Sequence, residues 1–140
     1  MKQIKPQYNC SLELAMELVG GKWKLVLLWH LLSGTKRFSE IKRKLGDITQ
    51  KMLTLQLREL EAAGLLTRTV YPVIPPHVEY SLTERGMALA PVLRGLCAWS
   101  GKYAVEKGIT LARCRPPGTE RICPARRNLS RKLDFWNKYG

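Results

Sequence analysis

Acidic residues are scarce in this sequence. Its 140 residues include 11 Asp and Glu against 24 Lys and Arg, which gives a formal net charge of +13 at pH 7 with histidine neutral. A chain with such an excess repels itself, and the excess is typical of proteins that bind a polyanion. The scarcity of acidic side chains therefore favours nucleic acid as the partner.

Long apolar runs and an export signal are also missing. No segment approaches the roughly 18 consecutive apolar residues of a membrane-spanning helix. The residues that follow Met1 are polar, whereas a signal peptide would place an apolar stretch there. We therefore expect a cytoplasmic or nuclear protein that makes no contact with a membrane.

Patterns typical of catalysis or metal binding are missing too. The sequence has two histidines, and none of its four cysteines forms a CxxC pair. It has no Gly-rich phosphate loop and no Ser/His/Asp order typical of hydrolases. We expect no enzyme activity, no metal site and no cofactor, and we expect the thiols to be reduced.

The basic residues divide the chain into two parts. Residues 1–108 carry 16 basic and 9 acidic side chains, whereas residues 109–140 carry 8 and 2. We predict one domain over 1–108 and a basic C-terminal extension over 109–140. Pro124 can open a helix in the extension that packs on the protein or on DNA, and a disordered basic tail is the alternative.

Apolar periodicity predicts a mainly helical domain with one β-hairpin. The expected helices begin at the cap Ser11, at Trp23, at Phe38 and at the cap Thr49, and they end at Gly20, Leu32, Leu45 and about Ala63. Leu65–Tyr71 and His77–Leu82 alternate and are β-branched, which predicts a hairpin. Thr83 then caps a long last helix to about Lys107, which Pro91 should kink. This order is that of a winged helix-turn-helix.

The fourth helix has the pattern of a DNA recognition helix. Leu53, Leu57 and Leu60 fall within a narrow arc that must face the core. The opposite face carries side chains suited to base edges in the major groove. The residues predicted to read bases are Gln50, Lys51, Thr54, Leu55 and Arg58. The alternative is that this is the polar face of an ordinary surface helix.

Cations before this helix favour the DNA-binding interpretation. They lie on the third helix and its approach, where the phosphates of a docked duplex would lie. The predicted phosphate contacts there are Lys36, Arg37, Lys42, Arg43 and Lys44.

Several motifs, in this order, resemble those of the HxlR-type family of bacterial transcriptional regulators. They are Gly20–Trp23, Arg37–Ile41, Lys51–Thr54, Gln56–Leu60, Gly64-Leu65, Pro75-Pro76, Val78–Thr83, and Leu96 with Trp99. The resemblance covers about residues 8–108. It implies a cytoplasmic, dimeric winged helix related to MarR-like regulators, which binds a palindromic operator in double-stranded DNA near its own or a neighbouring gene.

The sequence departs from the family pattern at two places that bear on function. Family members often have Cys-Pro where this chain has Cys10-Ser11. Lys or Arg is common at the position of His77, which follows Pro75-Pro76 in the wing. We therefore expect His77 to contact phosphate less firmly than those residues, or in a pH-dependent way.

Cys10 is the predicted thiol sensor. It stands just before the first helix, where the helix dipole and free backbone N–H groups favour a thiolate. The resemblance points the same way, because several members of the family respond to oxidants or electrophiles through a cysteine at this place. One alternative is a small cysteine packed beside the helix. Another is control by a small-molecule effector bound between the last helix and the winged domain.

Surplus apolar residues on the first and last helices predict a homodimer. One wall of the last helix can cover the core of its own chain, and the remainder then needs a second chain. The predicted interface is Leu12, Leu14, Leu18, Leu89, Leu93, Leu96 and Tyr103. The alternative is that these residues complete a monomer core.

A basic RNA-associated protein is the rival function. Such proteins often stack bases on aromatic side chains of a sheet, whereas the aromatic residues here fall mostly on helices and at hairpin ends. The sequence therefore favours a sequence-specific DNA-binding regulator that responds to oxidative or electrophile stress.

Overall fold

The computed structural model of the protein describes residues 3–111. The elements in that range are α1 Ser11–Val19, α2 Lys24–Leu31, β1 Lys36–Arg37, α3 Phe38–Leu45, α4 Gln50–Ala62, β2 Leu66–Tyr71, β3 His77–Leu82, α5 Glu84–Met87 and α6 Ala90–Glu106. They fall into two compact units, one that ends at Leu93 and one that starts at Arg94. The predicted fold class, a mainly helical winged helix-turn-helix, is confirmed.

The core of the first unit is built largely from leucines of α2 and α4. Leu53, Leu57 and Leu60 of α4 are at most 1% exposed, as their spacing predicts, and they pack in one cluster with leucines of α2. Burying each such side chain contributes about 1.5–3 kcal/mol relative to leaving it in water. This burial fixes the rotation of α4 about its axis, so that its opposite face points outward.

The sheet has three strands rather than the two of the predicted hairpin. β3 is central and pairs antiparallel with β2 on one side and with β1 on the other. In the register, Arg37 lies opposite Glu79, and Tyr71 lies opposite His77. Side chains that lie directly opposite each other, or two residues apart on one strand, share a face. These four therefore lie on the face away from the buried Tyr80.

The prediction of one long kinked helix after Thr83 is wrong. Thr83 caps a short helix, α5, and a separate helix, α6, begins at Ala90. The reason is Pro91, which has no N–H to donate to the carbonyl of Met87, where α5 ends. Pro91 instead occupies the first turn of α6, where its missing N–H costs no hydrogen bond.

A tight corner joins α4, the sheet and α5. The Thr83 hydroxyl donates to the carbonyl of Gly64 at 2.6 Å and accepts the N–H of Gly86 at 3.1 Å. Gly64 has a φ of 73°, which suits glycine at the end of a helix. The corner fixes where β2 leaves α4, and so positions the wing beside the recognition helix.

Part of the predicted C-terminal extension lies outside the described residues. This applies to residues 112–140, including Cys114, Cys123 and the helix that Pro124 is predicted to open. Within residues 3–111, no helix combines the length and the apolar content that crossing a bilayer requires.

Candidate nucleic-acid interface

The outward face of α4 carries the residues predicted to read bases. Thr49 caps the helix by accepting the N–H of Met52 at 3.1 Å. Beyond this cap Gln50, Lys51, Leu55 and Arg58 are exposed, whereas Thr54 is half-buried. One face of a single helix therefore presents an amide, two cations and an apolar side chain to solvent.

Thr54 differs from its neighbours in what it offers to a ligand. Its hydroxyl donates to the backbone carbonyl of Gln50 at 2.9 Å. With the proton used in this way, the side chain presents a methyl group and an oxygen that can accept. A methyl group at this position suits contact with the C5-methyl of thymine.

Five of the six predicted phosphate contacts lie on α3 and β1, and the sixth, His77, lies on β3. Lys42, Arg43 and Lys44 are in the last turn of α3. Their positive charges interact favourably there with the negative end of the helix dipole. Lys36 and Arg37 form β1 and not a loop before α3. All are at least partly exposed.

Glu40 anchors the start of α3 among these cations. The backbone N–H of Arg37 donates to its carboxylate at 2.7 Å. This hydrogen bond, assisted by the charges of Lys36, Arg37 and Arg43, holds the pKa of Glu40 below its usual range. The carboxylate therefore stays ionised and fixes the turn that joins β1 to α3.

A small network occupies the outer face of the wing. The carboxylate oxygen Oε1 of Glu79 lies 3.4 Å from His77 Nε2 and 3.9 Å from Arg37 Nε. The rings of Tyr71 and His77 stack with centroids 4.7 Å apart. Two predicted phosphate contacts therefore share one carboxylate, which the sequence pattern did not indicate.

His30 lies near the cations of α3 and β1. It is half-buried in the last turn of α2. Burial lowers the pKa of His30 below its usual value, and the nearby charges of Lys44 and Lys36 lower it further. The imidazole is therefore neutral near pH 7 and adds no charge to this surface.

Cys10 caps α1, a position that sequence analysis assigned to Ser11. Its sulfur accepts the N–H of Glu13 at 3.4 Å, and Ser11 is instead the first helical residue. The Glu13 carboxylate reaches back to the backbone N–H and the side-chain amide of Asn9, at 3.0 Å each. Serine is among the preferred caps and cysteine is not, so the pattern favoured the wrong residue. Cys10 is exposed.

The residues predicted for a dimer interface differ in exposure. On α1, Leu12 is 70% exposed, whereas Leu14 and Leu18 are half-buried. Leu93 is 3% exposed and belongs to the core cluster of its own chain, and Leu89 packs against that cluster. On α6, Leu96 and Tyr103 are exposed. Leu93 is therefore not accessible to a second chain in this conformation.

A family model described as HxlR-like helix-turn-helix matches residues 18–108. The chain belongs to the HxlR-like helix-turn-helix family. The matched range contains α2 to α6, and with them every residue predicted to contact DNA.

HxlR-like relatives of this chain include named regulators. The chain is 54% identical over 99 residues to the uncharacterized HTH-type transcriptional regulator YtcD of Bacillus subtilis. The aligned residues make up 71% of this chain and 79% of YtcD. The chain is also similar to the solved structure of the redox regulator HypR in its oxidized form, with a TM-score of 0.64 and 49% sequence identity. The match covers 66% of this chain and 96% of HypR. A third similar protein is quinone-bound YodB from B. subtilis, with a TM-score of 0.56 and 36% sequence identity. The match covers 65% of this chain and 96% of YodB. The protein is a DNA-binding transcriptional regulator.

A buried ion pair between two helices of this chain is a further contact that the sequence pattern did not indicate. Lys24 Nζ lies 2.8 Å from Glu59 Oε2, and the two side chains are 9% and 17% exposed. The pair joins the first turn of α2 to the recognition helix α4. A lysine inside the apolar run of α2 was the available signal, because a buried charge requires a partner.

Proposed function

We propose that this regulator reads a palindromic operator as a homodimer, with one α4 in the major groove of each half-site. The observation that carries the proposal is the outward face of α4, whose rotation is set by its three buried leucines. Exposed Lys51 and Arg58 offer donors to guanine, and Gln50 offers both a donor and an acceptor to adenine. Half-sites about one helical turn apart suit two such helices.

Phosphate contacts are proposed for the cations of α3, β1 and the wing. Lys42, Arg43 and Lys44 extend from the helix that precedes α4. Lys36, Arg37 and His77 extend from the sheet beside it. Contacts of this kind position a protein on the duplex but carry no sequence information directly.

Alanine variants test this division of roles. Arg58→Ala and Thr54→Ala should weaken binding to an operator selected from a randomised pool, by unequal amounts and by about 1–3 kcal/mol for a good base contact. Lys42→Ala and Lys44→Ala should weaken binding to all sequences alike and reduce the salt dependence by roughly one unit per phosphate contact. Fluorescence anisotropy on operator and random duplexes measures both effects.

The exposed Lys107, which follows α6, supplies a charge-matched control. Lys107→Ala should leave the ratio of operator to random affinity unchanged. If Arg58→Ala also leaves that ratio unchanged, α4 is not the base-reading helix.

We further propose that Cys10 senses oxidants or electrophiles. Its sulfur is exposed and serves as the cap acceptor of α1. The solved relatives HypR and YodB are described as a redox regulator and as quinone-bound, respectively. Modification would remove the cap acceptor next to the Asn9–Glu13 contacts. It would also disturb α1, where the proposed dimer surface begins with Leu12.

Two reactions at Cys10 are driven by the inducing compound itself. Addition to a quinone forms a carbon–sulfur bond, and the thiol proton passes to the quinone, which becomes a substituted hydroquinone. Alternatively, an oxidant accepts two electrons and two protons from Cys10 and a thiol of a second chain, which leaves a disulfide. Either product changes the geometry between the two chains, and losing one half-site would cost several base contacts of about 1–3 kcal/mol each.

Operator affinity before and after a mild oxidant or a quinone tests the sensor. The wild type should lose affinity on treatment, and Cys10→Ser should not, because serine retains a cap acceptor but not the thiol. Mass spectrometry of the treated protein locates the modified residue. Equal affinity in all four samples would reject the thiol sensor and leave a small-molecule effector as the better explanation.

A further inference from the structure

The wing of this protein carries a carboxylate among its DNA-facing cations. Glu79 is the central residue of a three-member set whose other members, Arg37 and His77, lie on the same face of the sheet. The Glu79 side chain is 25% exposed and that of His77 is 23% exposed, whereas that of Arg37 is 55% exposed. Both partners approach the same oxygen, Oε1.

The distances indicate that this network is held loosely. At 3.9 Å and 3.4 Å the contacts are electrostatic, without the short linear geometry of a strong charge-assisted hydrogen bond. An arginine more than half exposed can leave such a contact at little cost, because exposed ion pairs contribute little. A phosphate oxygen that approaches the wing can therefore replace the carboxylate.

We propose that Glu79 is a positioning residue that limits the affinity of this regulator for DNA by competing with phosphate for Arg37 and His77. The inference rests on the proposed role of these two residues as phosphate contacts. A chain with a formal net charge of +13 binds random DNA through its cations. A carboxylate that occupies one of those cations, Arg37, together with the imidazole of His77, reduces this sequence-independent binding.

Competition also predicts a change in salt dependence. When Arg37 moves from Glu79 to a phosphate, the carboxylate takes up a cation from solution, so fewer counterions are released overall. The Glu79→Gln variant keeps the size of the side chain but has no charge to compensate. Its affinity for DNA should therefore fall more steeply with salt, by roughly one unit of the logarithmic slope.

The experiment compares wild type, Glu79→Gln, the double variant Arg37→Ala/His77→Ala and the triple variant that combines them. Each full-length chain is titrated into a random-sequence duplex at several salt concentrations. Glu79→Gln should bind roughly two- to fivefold more tightly than wild type at low salt. The same substitution should have no effect in the Arg37→Ala/His77→Ala background, because the two side chains for which Glu79 competes are gone.

Glu106→Gln is the charge-matched control. Glu106 is exposed at the end of α6 and makes no ion pair within residues 3–111, so its neutralisation tests the effect of net charge alone. An unchanged or weaker affinity of Glu79→Gln would overturn the proposal. So would a gain that persists in the Arg37→Ala/His77→Ala background, because it would indicate direct repulsion of phosphate by Glu79.

The double variant separates this inference from the function on which it rests. If Arg37→Ala/His77→Ala binds random DNA as tightly as wild type, the proposed phosphate contacts fail. If it binds more weakly while Glu79→Gln equals wild type, the contacts stand and the role of Glu79 fails.

Discussion

Gly86 lies where no larger side chain fits. It is buried at the corner between α4 and α5, and its N–H donates to the Thr83 hydroxyl at 3.1 Å. A Cβ added there would collide with the backbone carbonyl of Leu65, which is held in place by the N–H of Thr83. Backbone cannot move aside as a flexible side chain can, so this position requires glycine.

Gly86→Ala should therefore lower the free energy of unfolding, by about 1–3 kcal/mol as for other overpacked sites. Urea denaturation followed by circular dichroism measures the change. Gly95→Ala is the matched control, because an added Cβ at that α6 position meets nothing within 4 Å. There alanine should be neutral or stabilise by about 0.5–1 kcal/mol. Equal stability of Gly86→Ala and wild type would contradict the close contact.

His30 makes stability depend on pH. Its pKa is lowered from 6.5, first by burial and then by Lys44 and Lys36. Because the unfolded chain binds this proton more readily, stability is highest above pH 6.5 and falls as the pH decreases through the lowered pKa. The pKa of Glu40 is lowered from 4.5, so its contribution to the free energy of unfolding is lost only at more acidic pH.

The free energy of unfolding should thus fall between about pH 7.5 and pH 5.5, and His30→Gln should show a smaller fall because it lacks the buried imidazole. Denaturant titrations at the two pH values measure both. A fall of equal size in wild type and variant would assign the effect to other groups.

At the scale of elements, the Lys24–Glu59 pair ties α2 to the recognition helix. Both partners are largely buried, so removing one leaves an uncompensated charge inside the protein, whereas replacing both by apolar residues removes the charges together. Lys24→Met should therefore lower the free energy of unfolding of the protein by about 3–5 kcal/mol.

The double variant Lys24→Met/Glu59→Leu is the control and should recover most of that loss. Denaturation measures stability, and operator binding reports whether α4 keeps its position. If Lys24→Met alone is as stable as wild type, the pair is more solvated than its geometry indicates.

At the scale of the whole molecule, exposed apolar residues on α1 and α6 support the proposed homodimer. Leu12 is 70% exposed on α1, and on α6 Leu96 and Trp99 are 44% and 63% exposed. Light scattering at micromolar concentration should give twice the mass of the chain. Leu12→Glu or Leu96→Glu should reduce it to a single chain with an unchanged helical spectrum, because a buried, unpaired carboxylate opposes association.

Ile74→Glu is the control for this prediction. Ile74 is fully exposed at the tip of the wing, outside both helices, so its charge should leave the mass unchanged. A wild-type mass of one chain under these conditions would reject the dimer and, with it, the palindromic operator.

The local patterns that predicted the fold are those of its regular elements. The leucine spacing of α4, the cap at Thr49 and the two hairpin strands were each predicted from neighbours within one element, and the structure confirms all three. These features also determine the outward face of α4. The sequence by itself therefore determined the winged helix-turn-helix and the position of its candidate base-reading surface.

Only the tertiary structure decided the contacts between elements. β1 has two residues, too few for alternation, and it exists because β3 offers a free edge. Lys24 meets Glu59, and Arg37 meets Glu79, across long stretches of chain that no local spacing encodes. Partners of buried or shared charges are set by how elements pack, because an isolated helix or strand leaves its charges in water.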